Sequence, residues 1–478
     1  MLLKDILSEV DSEQKFEKIC KDCELASTED VYFCLTKDVE KAKTRCQIAK
    51  QNGSFVVSEF DFGDVKVKDV RSAFAHACKR FYDNACDDLK IIGITGTNGK
   101  TTTSHIVAEM LKRNGKKVGV IGTSGVFYCG KMKECPLTTP DADFLHKTFY
   151  DMREEGVEYV VMEVSAHAID QKRIDGILFE IGVLTNVTQD HLDYFETFER
   201  YEKTKLSFMT KQHIKVGIVC ADDRSACKLI DTADVPMLSY GIYSPCDAFA
   251  IDIVCTMDGT RFAGNVCDSV VDIKTNLIGK YNVYNSLAAL QVCQCLGLNE
   301  KELMAGLNFI NPVEGRFNVI NFTGRYVVID FAHSPDSLKN VLQTARVLTD
   351  KKVYVIFGCG GNRDKTKRPQ MGAIAERFAD YVCLTDDNPR LEKSEDIISD
   401  IEAGMHKAHF VVPDRSEAIR KMINIARPGD IIVVAGKGAE KYQEIGTQKL
   451  PYNDFDAVYQ YFKDLDPLKN RGKEYYGC

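Results

Sequence analysis

Short apolar runs alternate with longer amphipathic stretches along most of this chain. After residue 90, β-branched and other apolar residues gather in runs that predict buried strands, over residues 91–94, 118–121, 159–164, 181–184 and 216–219. Stretches of helical period separate several of these runs, and strands joined through helices form parallel sheets with both faces covered. The pattern therefore predicts an α/β fold for the middle of the chain.

The pattern changes after the central strands, and a second α/β series follows. Between residues 247 and 272 the apolar runs become short and alternating, which is typical of a small antiparallel insertion. A helix with Asn282 and Asn285 near its start follows. After Gly315, strands are predicted over residues 326–331, 353–357, 381–384, 410–412 and 431–434. Near the N-terminus, strands are predicted over residues 31–35 and 55–57, and a helix over residues 70–82.

Composition and charge exclude several classes of protein. Hydrophobic residues make up 44% of the chain, yet no apolar run approaches the roughly 18 residues of a membrane span. The N-terminus lacks the apolar centre of a secretory signal, and the 18 cysteines show no disulfide framework, so we expect a cytoplasmic location and reduced thiols. The net charge of −8 argues against a broad nucleic-acid surface. We expect a monomer with neither a membrane nor a nucleic-acid partner.

A glycine-rich turn, here called the cradle, joins the first central run to the following helix. Its residues are Gly96, Thr97, Asn98, Gly99, Lys100, Thr101 and Thr102. Backbone N–H groups of such a turn face phosphate oxygens, while Lys100 would reach the β and γ phosphates and the Thr101 hydroxyl would contact Mg²⁺. The strict pattern G-x-x-x-x-G-K-[ST] is not met, because Ile94 occupies its first glycine position. The order of strand, turn, Lys-Thr and helix predicts a nucleoside triphosphate site.

Glu163 and His191 lie at or just after the ends of two further predicted strands. Because parallel strands end at the same edge of a sheet, we expect both side chains near Lys100 and Thr101. A carboxylate and an imidazole beside a triphosphate suit a divalent metal, which neutralises charge on a transferred phosphoryl group. Taken singly, either residue is more often an ordinary surface or core side chain.

The 478 residues suit three domains of about 150 residues each. We predict a small N-terminal α/β domain over residues 1–88. A central P-loop nucleotide-binding domain with a parallel sheet would span residues 89–312, and a C-terminal Rossmann-like α/β domain residues 313–478.

Further motifs follow the cradle in a fixed order, in residues 163–167, 186–193, 277–285, 330–336, 357–364 and 436–438. With them, residues 90 to 450 resemble the Mur ligases, which are ATP-dependent amide-forming enzymes of peptidoglycan precursor synthesis. The resemblance is greatest to the tripeptide synthetases of that family, which add the third residue of the stem peptide. It implies that ATP converts a substrate carboxylate to an acyl phosphate, which an incoming amine then attacks.

The resemblance also implies roles for individual residues. Lys100, Glu163, His191 and Lys205 would be catalytic, and Mg²⁺ would be bound by Thr101, Glu163, His191 and Lys205. Lys205 would be carbamylated, which turns a cation into an anionic oxygen ligand; the alternative is an exposed helical lysine. Asn282 would bind the adenine end of ATP, and it suits helix capping equally well. The other ATP contacts would be the cradle residues, Arg316, Asp330 and His333.

Two other substrates follow from the resemblance. The first is UDP-N-acetylmuramoyl-L-alanyl-D-glutamate, here called the UDP-muramoyl dipeptide, which would bind Thr138, Thr139, Ser165, Gln171 and Arg173. The second is an amino acid, which would bind Arg363, Asp387, Asn388, Arg390, Gly436 and Glu440. Residues 387–390 read D-N-P-R and resemble the version that accepts meso-diaminopimelate. Arg390 would hold the second carboxylate of that diamino acid and would repel the bare ammonium of lysine, while Glu440 suits the distal ammonium.

The sequence departs from the family pattern at two places. Ala439 stands where the family usually has histidine, and residues 30–35 lack the usual glycine-containing entry to a strand. Two alternatives stay open: a ligase of this type that adds L-lysine or another amino acid, and a noncatalytic nucleotide-binding scaffold. A noncatalytic scaffold would be expected to lack the metal ligands of the family, but this chain has Glu163, His191 and Lys205.

Overall fold

The computed structural model describes residues 2–7, 13, 15–267, 269–308 and 310–465. Residues 1 and 466–478, which belong to the predicted outer domains, lie outside this description. The described residues form sheets of four, eleven and six strands in succession, and a two-stranded ribbon near the end. Within them, no helix combines the length and the apolar character needed to cross a membrane.

The N-terminal sheet has four parallel strands in the order β1-β2-β3-β4. The strands are β1 (Lys18–Cys20), β2 (Asp30–Phe33), β3 (Phe55–Ser58) and β4 (Val65–Lys66). The helices of this unit are α1 (Leu3–Ile6), α2 (Val39–Gln51) and α3 (Val70–Phe81). Asp69 caps α3 by accepting the backbone N–H groups of Arg71 and Ser72. The predicted strands over residues 31–35 and 55–57 and the predicted helix are thereby confirmed.

The central sheet is mixed, with the order β15-β14-β13-β12-β11-β10-β5-β9-β6-β7-β8. Its strands are β5 (Lys90–Thr95), β6 (Val118–Gly122), β7 (Gly125–Tyr128), β8 (Lys131–Lys133), β9 (Tyr159–Glu163), β10 (Phe179–Leu184), β11 (Ile214–Cys220), β12 (Met237–Gly241), β13 (Ala248–Thr256), β14 (Gly259–Val266) and β15 (Ser269–Thr275). All five predicted core strands are present and parallel, and the predicted antiparallel insertion forms β13 to β15. The sequence pattern missed the antiparallel hairpin of β7 and β8, which is short and ends in exposed residues.

Helices cover both faces of the central sheet. They are α4 (Lys100–Arg113), α5 (Ala142–Glu154), α6 (Ala166–Asp170), α7 (Leu192–Phe195), α8 (Phe198–Ser207), α9 (Arg224–Thr232), α10 (Lys280–Cys295) and α11 (Glu300–Leu307). Alternate residues of β5 point to opposite faces, so Ile92 packs into the cluster beneath α4 and α10, while Ile91 packs into the cluster beneath α5. This double cover fixes β5, and with it the cradle that follows.

The C-terminal sheet has the order β16-β17-β21-β18-β19-β20 and is parallel except for β16. Its strands are β16 (Asn318–Phe322), β17 (Arg325–Asp330), β18 (Val353–Phe357), β19 (Tyr381–Leu384), β20 (Phe410–Val411) and β21 (Ile431–Ala435), and the ribbon is formed by β22 (Tyr442–Ile445) and β23 (Gln448–Pro451). The helices are α12 (Pro335–Leu348), α13 (Lys367–Phe378), α14 (Ser394–Glu402), α15 (Arg415–Ile425) and α16 (Asp454–Leu465). The predicted second α/β series is confirmed, and with it the predicted α/β class.

Candidate active site

A cleft of about 1010 Å³ lies between the central and C-terminal sheets. The central sheet contributes the cradle from Thr97 onward, Thr138, Glu163 and His191. The C-terminal unit contributes Arg316, Asp330, His333 and one side of α12. Because β5 lies between β9 and β10, the residues that follow these three strands meet at one edge of the sheet.

The backbone of the cradle requires glycine at two positions. Gly96 and Gly99 have φ angles of +140° and +88°, and a Cβ atom at Gly99 would come within 2.6 Å of Asn285 Oδ1. Helix α4 begins at Lys100, and Gly99 offers no side chain to cap its first turn. The free N–H groups of that turn and the helix dipole favour an anion at this end of α4.

Two lysine side chains donate to one carbonyl group of the cradle. Lys100 Nζ lies 2.9 Å from the carbonyl oxygens of Gly96 and Thr97, and Lys205 Nζ lies 2.8 Å from that of Gly96. Burial lowers the pKa of Lys100. Burial also holds the pKa of Lys205 well below its usual range, and the charge of Lys100 lowers it further.

Lys205 lies inside the protein, although its helix α8 is at the surface. Its side chain is 1% exposed and its Nζ lies 4.9 Å from the centre of the Tyr201 ring, whereas Lys203 is exposed. The structure therefore brings Lys205, not its neighbour, to the cradle. An amine with a strongly lowered pKa is available in the neutral form that reacts with carbon dioxide.

Oxygen atoms suited to a magnesium ion gather beside Lys100. Thr101 Oγ1 donates to both carboxylate oxygens of Glu163 at 3.0 Å, and the backbone N–H of Thr123 donates to Glu163 Oε1 at 2.9 Å. Arg316 Nη2 reaches Thr101 Oγ1 from the C-terminal unit at 3.4 Å. In the described part of the chain, no three His, Cys, Asp or Glu side chains form a metal site. One carboxylate and one hydroxyl fit Mg²⁺ that takes its other ligands from phosphates and water.

His191 lines the cleft beside an acid that the sequence analysis did not single out. Burial lowers the pKa of His191 to about 3, so the imidazole is neutral. Asp190 Oδ2 lies 3.6 Å from His191 Nε2 and 3.7 Å from His333 Nε2, and Lys367 Nζ lies 3.9 Å from Asp190 Oδ1. Burial would raise the pKa of Asp190, but His333 and the neighbouring cations hold it well below its usual range. This cluster joins the central unit to α13 of the C-terminal unit.

Arg316 and Asp330 are neighbouring opposite charges at the cleft that form no direct ion pair among the described residues. Burial raises the pKa of Asp330 to about 6, and the charge of Arg316 opposes that rise. The Asp330 carboxylate accepts the N–H groups of Phe317 and Ala332 at 2.8 and 2.7 Å. The bond to Phe317 holds the segment that carries Arg316 against the end of β17, from where Arg316 reaches the cradle.

Asn282, which is predicted for the adenine end of ATP, is buried one helical turn before Asn285, a residue of the cleft wall. Its side-chain amide donates to the Ile278 carbonyl at 2.8 Å, and its Oδ1 accepts from Asn285 Nδ2 at 2.9 Å. Neither contact caps α10, because Asn282 is the third residue of that helix and its side chain accepts no backbone N–H group of the described residues. Asn285 does line the cleft, and Tyr281 contributes there a buried hydroxyl without a hydrogen-bond partner in the described residues.

The residues predicted for the UDP-muramoyl dipeptide lie in one hydrogen-bonded group. Thr139 Oγ1 donates to the Glu163 carbonyl at 2.7 Å and accepts the Ser165 N–H at 2.9 Å. Arg173 donates to the Thr139 carbonyl at 2.8 Å and to Gln171 Oε1 at 2.6 Å. This group therefore extends from the strand end that carries Glu163 toward the N-terminal unit.

The residues predicted for the amino acid surround a loop of the C-terminal unit. Arg390 Nε pairs with Glu444 Oε2 at 2.9 Å, a partner that the sequence analysis did not anticipate. Asn388 Nδ2 donates to Glu440 Oε2 at 3.0 Å, and the buried Lys437 ammonium donates to both of these side chains. The remaining members differ in position: Asp387 lies against Gly436, and Arg363 is exposed.

One close backbone contact connects this loop to the cradle. Gly315 has φ of +74°, and a Cβ atom there would collide with the backbone of Gly438 and Ala439. The next residue, Arg316, reaches Thr101 of the cradle. The amino-acid loop and the cradle thus meet through two neighbouring residues.

Comparison with known proteins agrees with this architecture. Residues 94–293 match the Mur ligase middle domain, and residues 315–438 match the Mur ligase, glutamate ligase domain. UDP-N-acetylmuramoyl-L-alanyl-D-glutamate--2,6-diaminopimelate ligase 1 of Clostridium acetobutylicum is 40% identical over 407 residues, which are 84% of this chain and 84% of the relative. The ligase of that name from Caldanaerobacter subterraneus subsp. tengcongensis is 36% identical over 476 residues, covering 96% and 98%.

A solved structure points to the same relatives. The structure of a UDP-N-acetylmuramoyl-L-alanyl-D-glutamate--2,6-diaminopimelate ligase superposes with a TM-score of 0.71 at 31% identity, covering 97% of this chain and 99% of the other. These matches confirm the resemblance carried by the motifs. The chain belongs to the Mur ligase family.

Proposed function

We propose that this chain is an ATP-dependent ligase that joins meso-diaminopimelate to the UDP-muramoyl dipeptide. The observation that carries the proposal is the contact between Gly315–Arg316 and the two substrate regions, with Thr101 of the cradle on one side and Ala439 on the other. Relatives that are 40% identical carry the name of this activity, which supports the choice of substrates.

The proposed chemistry has two steps. A side-chain carboxylate oxygen of the D-glutamate residue attacks the γ-phosphorus of ATP, and ADP leaves. The amine of meso-diaminopimelate then attacks the acyl carbon, the bond to phosphate breaks, and the nitrogen loses a proton as the amide forms. Phosphorylation is needed because a carboxylate is a poor electrophile with no adequate leaving group.

The cradle and its neighbours would handle the nucleotide. Lys100 would exchange the Gly96 and Thr97 carbonyls for phosphate oxygens, and Arg316 would offset charge on the transferred group. Thr101, Glu163, His191 and a carbamylated Lys205 would hold Mg²⁺, which supplies positive charge against the phosphoryl oxygens when it is bound. His191, being neutral, suits either a metal ligand or a hydrogen bond.

The other assignments also belong to this proposal. Thr138, Thr139, Ser165, Gln171 and Arg173 would hold the UDP-muramoyl dipeptide between an N-terminal domain (residues 1–88) and a central domain (residues 89–312). Residues 313–478 would form the amino-acid domain. Asn282 stays the residue predicted for the adenine end of ATP, and Asn285, which bonds to it and lines the cleft, would support it there.

Selection of meso-diaminopimelate over L-lysine rests on Arg390. The guanidinium uses Nε for Glu444 and Nη1 for the Gly361 carbonyl. The distal carboxylate of meso-diaminopimelate would take the remaining Nη2 donor, and Glu440 would take the distal ammonium. L-lysine would leave that donor unpaired and bring its ammonium toward Arg390.

A panel of amines tests the proposed function. Phosphate and ADP release would be followed with ATP, Mg²⁺, the UDP-muramoyl dipeptide and either meso-diaminopimelate, L-lysine or L-ornithine. We expect turnover with meso-diaminopimelate and at least about 100-fold lower kcat/KM with L-lysine. Equal rates with L-lysine would remove the specificity claim. No release with any amine would favour the scaffold alternative.

A further inference from the structure

The guanidinium group of Arg71 lacks a partner among the residues that the structure describes. It is the second residue of α3, and its Nε atom is buried without a hydrogen bond. Among the described residues, no side chain or carbonyl forms an ion pair or hydrogen bond with this guanidinium. It lines a small cavity of about 30 Å³ between the N-terminal and central units, together with Leu35, Phe74, Asp141, Ala142, Gln171, Lys172 and Arg173.

A second guanidinium faces the same cavity. Burial lowers the pKa of Arg173, and the charge of Arg71 lowers it further, so the two groups lie close enough to repel each other. Arg173 is anchored by the Thr139 carbonyl, by Gln171 Oε1, and by Asp141 Oδ1 at 3.0 Å. Arg71 has no comparable anchor.

The acids nearby are already occupied by other cations. Asp141 Oδ2 accepts Lys21 Nζ at 2.6 Å, and Asp69 Oδ2 accepts Lys172 Nζ at 2.6 Å. Asp69 also caps α3 through its other oxygen. Arg71 is therefore left as an unpaired cation at this interface.

An unpaired, half-buried guanidinium facing a like charge costs free energy unless a ligand supplies an anion. Arginine presents its donors in a planar fork that matches carboxylate and phosphate groups. A chain of hydrogen bonds links the wall of the cavity to the reaction site, because Arg173 donates to the Thr139 carbonyl and Thr139 donates to the Glu163 carbonyl. The residues predicted to bind the UDP-muramoyl dipeptide thus extend from Glu163 to the cavity that Arg71 lines, and that substrate carries anionic groups.

We propose that Arg71 is a further substrate-binding residue, which together with Arg173 holds an anionic oxygen group of the UDP-muramoyl dipeptide. This inference rests on the proposed function. Two groups of that substrate have the required chemistry: the diphosphate, and the α-carboxylate of D-glutamate, which stays free when the side-chain carboxylate reacts. Both present oxygen anions to the guanidinium fork.

The test compares Arg71→Ala and Arg71→Lys with the matched control Arg80→Ala. Arg80 lies on the same helix and donates to the Ile6 carbonyl, away from the cavity. For Arg71→Ala we expect the KM of the UDP-muramoyl dipeptide to rise at least about 10-fold, with the KM values of ATP and meso-diaminopimelate unchanged. Arg71→Lys should lie between the wild type and Arg71→Ala, because it keeps the charge and loses the fork.

Thermal stability separates substrate binding from a structural role. Without substrate, Arg71→Ala should melt at or above the wild-type temperature, because the free protein loses no contact and loses a repulsion. The stabilisation that the UDP-muramoyl dipeptide gives the wild type should be smaller in Arg71→Ala at the same ligand concentration and unchanged in Arg80→Ala. An Arg71→Ala variant with unchanged KM and unchanged stabilisation would overturn the proposal.

An analogue distinguishes the two anionic groups. In UDP-N-acetylmuramoyl-L-alanyl-D-isoglutamine a neutral amide replaces the α-carboxylate. If Arg71 binds that carboxylate, Arg71→Ala should bind the analogue as tightly as the wild type does. If it binds the diphosphate, the loss should persist with the analogue. If the wild-type protein binds the UDP-muramoyl dipeptide but does not turn it over, the proposed function is refuted. The thermal shifts of the wild type and of Arg71→Ala with this substrate then still decide whether Arg71 binds it.

Discussion

The hydroxyl of Thr101 lies 3.0 Å from both carboxylate oxygens of Glu163, although the two residues are 62 positions apart in the chain. The pairing of β5 with β9 produces this relationship, because it brings the end of β9 beside the turn that follows β5. A magnesium ion needs oxygen ligands close together. The pair supplies two such ligands, the Lys100 ammonium lies at the cradle carbonyls beside it, and Arg316 Nη2 approaches the Thr101 hydroxyl at 3.4 Å.

Glu163→Gln tests this pair by removing the charge and keeping the shape. We expect kcat to fall at least about 100-fold, since the charge that holds the metal against the phosphoryl group is lost. Phosphate release measured over a range of Mg²⁺ concentrations checks the effect. Glu180→Gln is the matched control, because Glu180 lies on β10 of the same sheet and pairs with Lys215 at the surface. Equal kcat values for the two variants would contradict the metal role.

Lys205→Ala should lose activity that short carboxylates restore. Formate or acetate would replace the oxygen atoms of a carbamate, whereas they cannot replace an ammonium group. Phosphate release with and without added carboxylate measures the rescue. Lys203→Ala, two residues away and exposed, should behave as the wild type. A fully active Lys205→Ala variant would remove this lysine from the site.

Arg390→Ala should raise the KM of meso-diaminopimelate far more than that of ATP. A desolvated charge pair of this kind is worth about 2 to 4 kcal/mol, which corresponds to an increase of roughly 30- to 1000-fold. Initial rates with each substrate varied in turn give both constants. The exposed Arg377 on α13 provides the control substitution Arg377→Ala. An unchanged amine KM in Arg390→Ala would argue against the specificity role.

Gly315→Ala should damage the amino-acid site, and Gly297→Ala should not. Both glycines have positive φ, +74° and +92°, so alanine costs about 1 to 2 kcal/mol of backbone strain at either position. At Gly297 nothing lies within 4 Å of the added Cβ, whereas at Gly315 it collides with Gly438 and Ala439. We expect kcat/KM for meso-diaminopimelate to fall about 10- to 100-fold in Gly315→Ala only. Similar kinetics in both variants would show that the contact does not position the loop.

His146 should make the fold sensitive to acid. Burial lowers its pKa from 6.5 to about 3, and its Nε2 has no hydrogen-bond partner in the described residues. Between these two pH values the unfolded chain binds a proton at His146 and the folded chain does not. The contribution of neutral His146 to the free energy of unfolding is therefore complete above pH 6.5 and is lost as the pH falls toward 3. The slope is about 1.4 kcal/mol per pH unit for one such group.

Urea unfolding at several pH values between 7 and 4 measures this slope. His146→Phe should reduce it, because the ring still packs against Phe149 and no longer titrates. The exposed His406 provides the control His406→Phe, which should leave the slope unchanged. A slope that is the same in both variants would exclude His146 as the cause.

The sequence was most informative where local periodicity and strand ends determine position. The apolar runs predicted the central strands because both faces of β5 are covered and select apolar side chains. The meeting of Glu163 with Thr101 followed from the rule that parallel strands end at one edge. The short hairpin of β7 and β8 has no buried face to impose such a pattern at its outer strand, and it was missed.

Contacts between distant segments could not be predicted in this way. Asp190 meets His333 and Lys367 only because two sheets face each other, and no local pattern encodes that approach. The pairing of Arg390 with Glu444 depends in the same way on how the ribbon folds back. The sequence likewise cannot tell which of Asn282 and Asn285, one helical turn apart, faces the cleft.

The Gly96 carbonyl oxygen, which accepts from both Lys100 and Lys205, has a consequence for nucleotide affinity. In the free protein Lys100 already donates a hydrogen bond to this oxygen. A phosphate group that binds Lys100 must therefore replace that hydrogen bond. The dissociation constant of ATP therefore reflects the difference between the Lys100–phosphate and Lys100–carbonyl interactions. It is larger than the Lys100–phosphate interaction alone would give.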